Sequence, residues 1–157
     1  MNTHHYKTSI NWTGNKGTGT KDYRSYDRSH SIKIDNKAVI AGSSDPAFRG
    51  DKTMHNPEEL LVASLSACHM LSYLHVCVEA GVVVTAYQDE ATGTMTQTAD
   101  GGGHFTEVQL HPVVTVSEEH MIEKANHLHH KAHQLCFIAN SCNFPVNHFA
   151  TCNVAPA

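Results

Sequence analysis

The sequence has no Cys-x-x-Cys pair, no block of like charge and no repeated or low-complexity tract. Its five cysteines (68, 77, 136, 142 and 152) are odd in number, so the paired disulfide framework of small secreted domains is not expected. Lys and Arg number only 11 and are scattered, against 15 Asp and Glu. The formal charge of −4 gives no electrostatic reason to expect nucleic acid or an anionic membrane as partner. The opening MNTHHYKTS is polar and lacks the apolar region of a secretory signal. No apolar run approaches the roughly 18–20 residues of a membrane span. Together these absences predict a reduced, cytoplasmic compartment in which some cysteines fill the core and one or two react.

What is present fits one globular domain over residues 1–157, with a hydrophobic fraction of 40%. Fourteen histidines make the net charge sensitive to pH just below neutrality. Residues 6 to 41 read as four strands, YKTSINWTG, GTGTKDYRSYDR, SHSIKI and KAVIAG, followed by a loop over SSDPAFRGDKTMHNP. A helix then starts at Asn56 as N-cap, with Pro57 in its first turn and Glu58 and Glu59 on its positive end. It runs without a breaker to Gly81, and its nearly uncharged surface predicts burial on most sides. Small residues Ala63, Ser64, Ser66 and Ala67 would admit a second helix closely. VVVTAYQDEATGTMTQT and HFTEVQLHPVVTV flank ADGGG as a long hairpin. A second, amphipathic helix is expected from a Ser117 cap through Ala139, then a last strand over VNHFATCNV. The fold class is α+β.

Cys68 falls in the middle of the first helix and Cys136 in the last turns of the second. Two packed helices can bring such sulfurs to disulfide range, and a sulfenic acid formed on one thiol condenses with the other. Spacing alone favours two ordinary core cysteines. Cys77, nine residues after Cys68 and so on the opposite helix face, reads as core filler. His129 and His133 share a helix face at i,i+4, with Cys136 continuing it, so a metal site is conceivable there. Without an acidic ligand at fitting spacing, solvated or pKa-tuning histidines are favoured. His69 points about 100° away from Cys68 and is not expected to act as its base.

The segments NPEELLVASLSACHML and HQLCFIANSCNFPV resemble the OsmC/Ohr family of osmotically inducible and organic-hydroperoxide-resistance proteins. NWTGNKGTGT, GSSDPAFRGD and the strand GGHFTEVQLHPVV resemble it too, so the likeness spans nearly the whole chain. The resemblance implies antiparallel strands wrapped around two long central helices in an intertwined homodimer, its active sites at the subunit interface. It implies a thiol peroxidase in which Cys68 attacks a hydroperoxide, Cys136 resolves the sulfenate as a disulfide, and an external dithiol, thioredoxin-like or lipoyl, restores both thiols. No cofactor and no metal are implied.

The family also uses a Glu and an Arg to hold the thiolate and orient the peroxide. Glu58 matches the Glu by its place in Asn-Pro-Glu. Ten helical residues rise roughly 15 Å, so Glu58 would serve the partner subunit's Cys68 or act by positioning an arginine; simple compensation of the helix dipole is the other reading. Where the organic-hydroperoxide branch carries its Arg, this chain has Asn15, Lys16 and Gly17. Arg49 is therefore the preferred candidate for pairing Glu58 and favouring the thiolate, with Arg24 and Arg28 behind it. An apolar lining from Leu61, Leu65, Leu71 and Phe137 would favour organic hydroperoxides. The competing functions are a non-enzymatic dimer that binds an apolar ligand, its cysteines structural, and a metal-binding protein built on the histidines.

Overall fold

The strongest start signal in the sequence holds. In the computed structural model, which describes residues 1–156, helix α1 spans Pro57–Glu79. Asn56 Oδ1 accepts from the Glu59 amide at 2.8 Å, and Glu59 Oε2 accepts from the Asn56 amide at 3.2 Å. This reciprocal pair is a capping box and satisfies two groups that the helix start would otherwise leave open. The other end closes at Gly81, whose φ of 72° suits a residue without Cβ. Val82 N donates to Cys77 O and Gly81 N to Val78 O, a Schellman arrangement.

The residues group into two compact units, Met1–Leu61 and Val62 onward, α1 beginning in the first and continuing through the second. In the first, β1 (Ser9–Trp12), β2 (His30–Lys33) and β3 (Ile40–Gly42) form an antiparallel sheet in that order. The expected strand over GTGTKDYRSYDR is instead a run of turns. Side chains in it and just before it satisfy the backbone locally. Asn15 Oδ1 accepts from Gly17 N and Gly19 N, and Asp22 Oδ1 from Arg24 N. The Arg28 guanidinium lies 4.3 Å from the Tyr23 ring centre and 4.1 Å from that of Tyr26, and donates to both residues' carbonyls. Such local bonds compete with a strand ladder.

In the second unit the long hairpin resolves into β4 (Val84–Asp89), β5 (Thr92–Gln97), β6 (Gly103–Leu110) and β7 (Pro112–Val116). The expected last strand is two, β8 (Val146–His148) and β9 (Thr151–Val154). They form two three-stranded sheets, β4-β7-β9 and β5-β6-β8, with β8 and β9 added in parallel to β6 and β7. The break between β6 and β7 falls where Pro112 offers no amide and the His111 amide donates to Asp89 Oδ1 at 2.6 Å.

The second helix is shorter than its periodicity predicts. A 3-10 turn at Glu119–Met121 precedes α2 (Ile122–Leu135), and Cys136 leaves the helix in extended conformation. Ser117 does not cap it, because its hydroxyl faces Met121 Sδ at 3.6 Å. Tyr73, Val76 and Cys77 of α1, Val82, Val114 and Val116 of the strand region, and Ala125 and Ala132 of α2 make one buried cluster. The molecule is thus mixed α+β, with small sheets and two helices.

Burial of α1 is narrower than expected. Leu65, His69, Tyr73, Val76 and Cys77 form a single inner stripe, while Leu71 is 63% and Val78 78% exposed. Ala63 and Ala67 face outward, and the Ser66 hydroxyl donates to Asp89 Oδ2 at 2.5 Å, so these small residues do not seat a helix within the chain. Contrary to the sequence reading, α1 is by length and composition apolar enough to cross a membrane, with a mean hydropathy of 1.6. Its serines, histidines and cysteines disguise this in the sequence, since none carries a fixed charge. Its inner stripe packs into the protein core.

Replacing Asn56 with Ala removes one half of the capping box. Urea denaturation should show a loss of about 1 kcal/mol; an unchanged midpoint would mean that the box does not hold the helix start.

Candidate functional site

The inner stripe of α1 and the stripe Ala125, His129 and Ala132 of α2 face one core. Cys136 follows at the end of α2, held by its amide to His133 O at 3.2 Å and by its carbonyl, which accepts from Asn140 N at 3.0 Å. It is 1% exposed, and Cys68 is half-buried on α1. The Cys68 thiol is near enough to Cys136 to act on its pKa. Burial pushes the Cys136 thiol up to about 11; nearby Cys68 adds to this, against the backbone amides of Ala139 and Ile138. All five cysteines are free thiols.

The other expected site residues lie in the first unit. Arg49 is exposed and ends a 3-10 turn at Pro46–Phe48 with φ 65°, a left-handed conformation costing a non-glycine residue on the order of 1 kcal/mol. It lines a cleft of about 260 Å³ with Asp27, Arg28, Ser29, Ser43, Gly50 and Asp51. Glu58 is half-buried in the first turn of α1. Among the described residues no ion pair joins Arg49 to Glu58. Lys16 pairs with Asp27 at 3.2 Å, and Arg28 is engaged between its two tyrosines. Of the four apolar side chains expected to line the site, Leu65 is fully buried in the inner stripe, Leu61 is half-buried, and Leu71 and Phe137 are exposed. Leu65 is thus core, and does not line an open surface.

The sequence reading missed a buried histidine cluster. His69 Nε2 and His129 Nδ1 are 3.0 Å apart, both residues 1% exposed. Tyr73 stacks on the His129 ring at 3.9 Å and donates its hydroxyl to Ala125 O at 3.0 Å. His148 lies against His69, His129 and His133 with ring centres 5.4–6.0 Å apart. Burial, then the imidazoles of His148 and His133, lower His69 to about 4, Asp89 opposing. Burial, then His69 and His148, lower His129 to about 3. Burial, His133 and His130 lower His148 as well. His129 is therefore enclosed and not solvated as a surface i,i+4 reading has it. Among the described residues no three His, Cys, Asp or Glu side chains are grouped so as to hold a metal ion. The signal was available: His69 sits four residues from both Leu65 and Tyr73, and His129 four from Ala125, each on a core stripe.

With this geometry in place, comparison with known proteins decides the lineage. The sequence profile of the OsmC-like protein family matches residues 50–148, which include both the α1 thiol and the thiol that ends α2. The chain belongs to the OsmC-like family. An OsmC-like protein of unknown function from Vibrio cholerae O1 biovar eltor superposes with a TM-score of 0.85 at 28% identity, covering 94% of this chain and 99% of that one. An organic hydroperoxide resistance protein from Elizabethkingia anophelis has a TM-score of 0.67 at 24% identity, covering 97% and 99%. One from Bacillus subtilis has a TM-score of 0.61 at 19% identity, covering 97% and 98%. These last two share the OsmC-like fold. No curated protein gives a significant match.

The histidine cluster makes this OsmC-like chain sensitive to acid. The folded values, about 4 and about 3, lie below the ordinary 6.5, so the unfolded chain binds protons that the folded one excludes. Stability is therefore full above pH 6.5 and falls as pH drops through the window toward 4 and 3, by up to about 1.4 kcal/mol per pH unit for each histidine. Urea denaturation at pH 7, 6 and 5 should show this slope, and His129→Asn should flatten it; equal slopes would contradict the assignment.

Proposed function

We propose that the protein is a two-cysteine hydroperoxide reductase. The observation that carries this reading is a half-buried Cys68 near enough to the buried Cys136 that ends α2 to raise its pKa. Two thiols so different in access suit two different roles. The Cys68 thiolate attacks the distal oxygen of ROOH, the O–O bond breaks, and the alkoxide leaves as ROH with the proton that the Cys68 thiol had given up, leaving Cys68 sulfenic acid. Cys136 then attacks the Cys68 sulfur, the S–O bond breaks, and the hydroxyl leaves as water with the Cys136 proton. A Cys68–Cys136 disulfide results. A thiol kept protonated and out of solvent is a poor first attacker and is preserved for the second step.

An external dithiol, thioredoxin-like or lipoyl, reduces the disulfide and becomes oxidised itself. Family membership and the hydroperoxide-resistance proteins that share the fold support the same reading. Arg49 and Glu58 are the proposed groups for orienting the peroxide. The outward apolar side chains of α1, Leu71 and Val78, support a homodimer, since each would otherwise stand in water. Cytoplasmic residence fits the free thiols.

Steady-state turnover with dihydrolipoamide as reductant tests the proposal. The wild-type protein, sedimenting as a dimer, should reduce cumene hydroperoxide with a kcat/KM roughly tenfold or more above that for hydrogen peroxide. Cys68→Ser should abolish turnover. Turnover that survives Cys68→Ser would overturn the mechanism, and a bias toward hydrogen peroxide would overturn the substrate preference.

A further inference from the structure

Apolar packing by itself says little about how α1 slides along α2. The fully buried residues of α2 are Ala125, His129 and Ala132, with Ile122 and Leu128 packed partly buried beside them, and the two alanines give the middle of that face little relief to lock. Two polar contacts supply what the alanines do not. Tyr73 donates to Ala125 O, and His69 meets His129, each at 3.0 Å. The partners step by four residues on both helices and in opposite directions, 73 to 125 and 69 to 129. They are two rungs of one antiparallel ladder. A slip of one turn, about 5.4 Å, breaks both rungs together.

Stability alone does not account for the imidazole pair. In either tautomer one ring donates and the other accepts, which leaves one N–H and one lone pair over. Those atoms, His69 Nδ1 and His129 Nε2, are buried with no hydrogen-bond partner. Two apolar side chains of similar volume would fill the space without orphaned polar atoms. The best-attested use of such a buried polar contact is to set register, as a single buried Asn does in a coiled coil.

The ladder also ends at the thiols. Cys68 precedes His69 on α1, and Cys136 lies two turns beyond His129, where α2 stops. We infer that His69, His129 and Tyr73 are positioning residues that fix the axial register of α1 against α2 and so hold Cys136 in bonding range of Cys68. Disulfide formation requires Cα atoms roughly 4.4–6.8 Å apart, a range narrower than the slip of one turn. This deepens the peroxidase reading and rests on it for the rate of resolution, but not for the equilibrium of the disulfide.

The test therefore begins with equilibrium. The Cys68–Cys136 disulfide is poised against reduced and oxidised glutathione and quantified by mapping the cross-linked peptide. His129→Leu should lower the equilibrium constant for its formation about tenfold. His129→Asn keeps a polar atom near the Nδ1 position and should restore most of it; Tyr73→Phe should lower it several-fold by removing one hydroxyl. In parallel, oxidation of Cys68 by tert-butyl hydroperoxide in a Cys136→Ser background should proceed at one rate with or without His129→Leu. The inference falls if the Leu variant equilibrates like wild type, if Asn and Leu lose equally, or if attack slows in step with resolution. If the Leu variant does not fold, Tyr73→Phe decides by the same readouts. If peroxide oxidises no thiol but the glutathione equilibrium shifts as stated, the register assignment stands and the peroxidase reading falls.

Discussion

Tyr73 and His69, one turn apart on α1, make the contacts with α2 on which the arrangement of the thiols depends. Both side chains are fully enclosed, and α2 supplies a carbonyl for the Tyr73 hydroxyl and an imidazole for His69 Nε2, while His69 Nδ1 has no hydrogen-bond partner. The Tyr73 ring also stacks on His129 and joins the apolar cluster of Val76, Cys77, Val114 and Val116. One side chain thus ties helix register to core packing. Buried polar groups of this kind are costly when left unpaired, so alternatives that break either contact are strongly disfavoured.

A chemical division between the two sulfurs follows from the same geometry. Cys136 closes α2 on the core side, where burial raises its pKa and favours the protonated thiol. Cys68 lies on the neighbouring face of α1, one residue out of the inner stripe, and is only half enclosed. A one-residue step around a helix, about 100°, is enough to separate a half-enclosed position from a core position. Cys77, on the opposite face from Cys68, is in the core; its raised pKa, from burial, marks it as filler.

Much of this was legible in the sequence where one strong local signal had no competitor. Asn56, Pro57 and Gly81 bound α1 because cap and terminator chemistry act within a few residues. The likeness of the Cys68 and Cys136 segments to a known family pointed to the thiol pair and the fold. Long-range context decided the rest. The turn-rich segment around Arg28 reads as strand until its guanidinium is seen between Tyr23 and Tyr26. The histidine pair joins residues sixty apart, which no local pattern connects, and the i,i+4 spacing of His129 and His133 suggests solvated or pKa-tuning side chains, not a core pair. Exposure of Leu71 and Val78 likewise departs from a helix buried on most sides, because composition cannot say which face another surface covers.

The central claim is that Cys68 and Cys136 act as one redox pair. A free-thiol count on the reduced protein, before and after one equivalent of tert-butyl hydroperoxide, tests it most directly. The account predicts that the wild-type protein loses two thiols, that Cys68→Ser loses none, and that Cys136→Ser stops at a sulfenic acid trapped by dimedone. A wild-type protein that keeps all five thiols under that treatment, or a Cys68→Ser variant that still loses two, would contradict it.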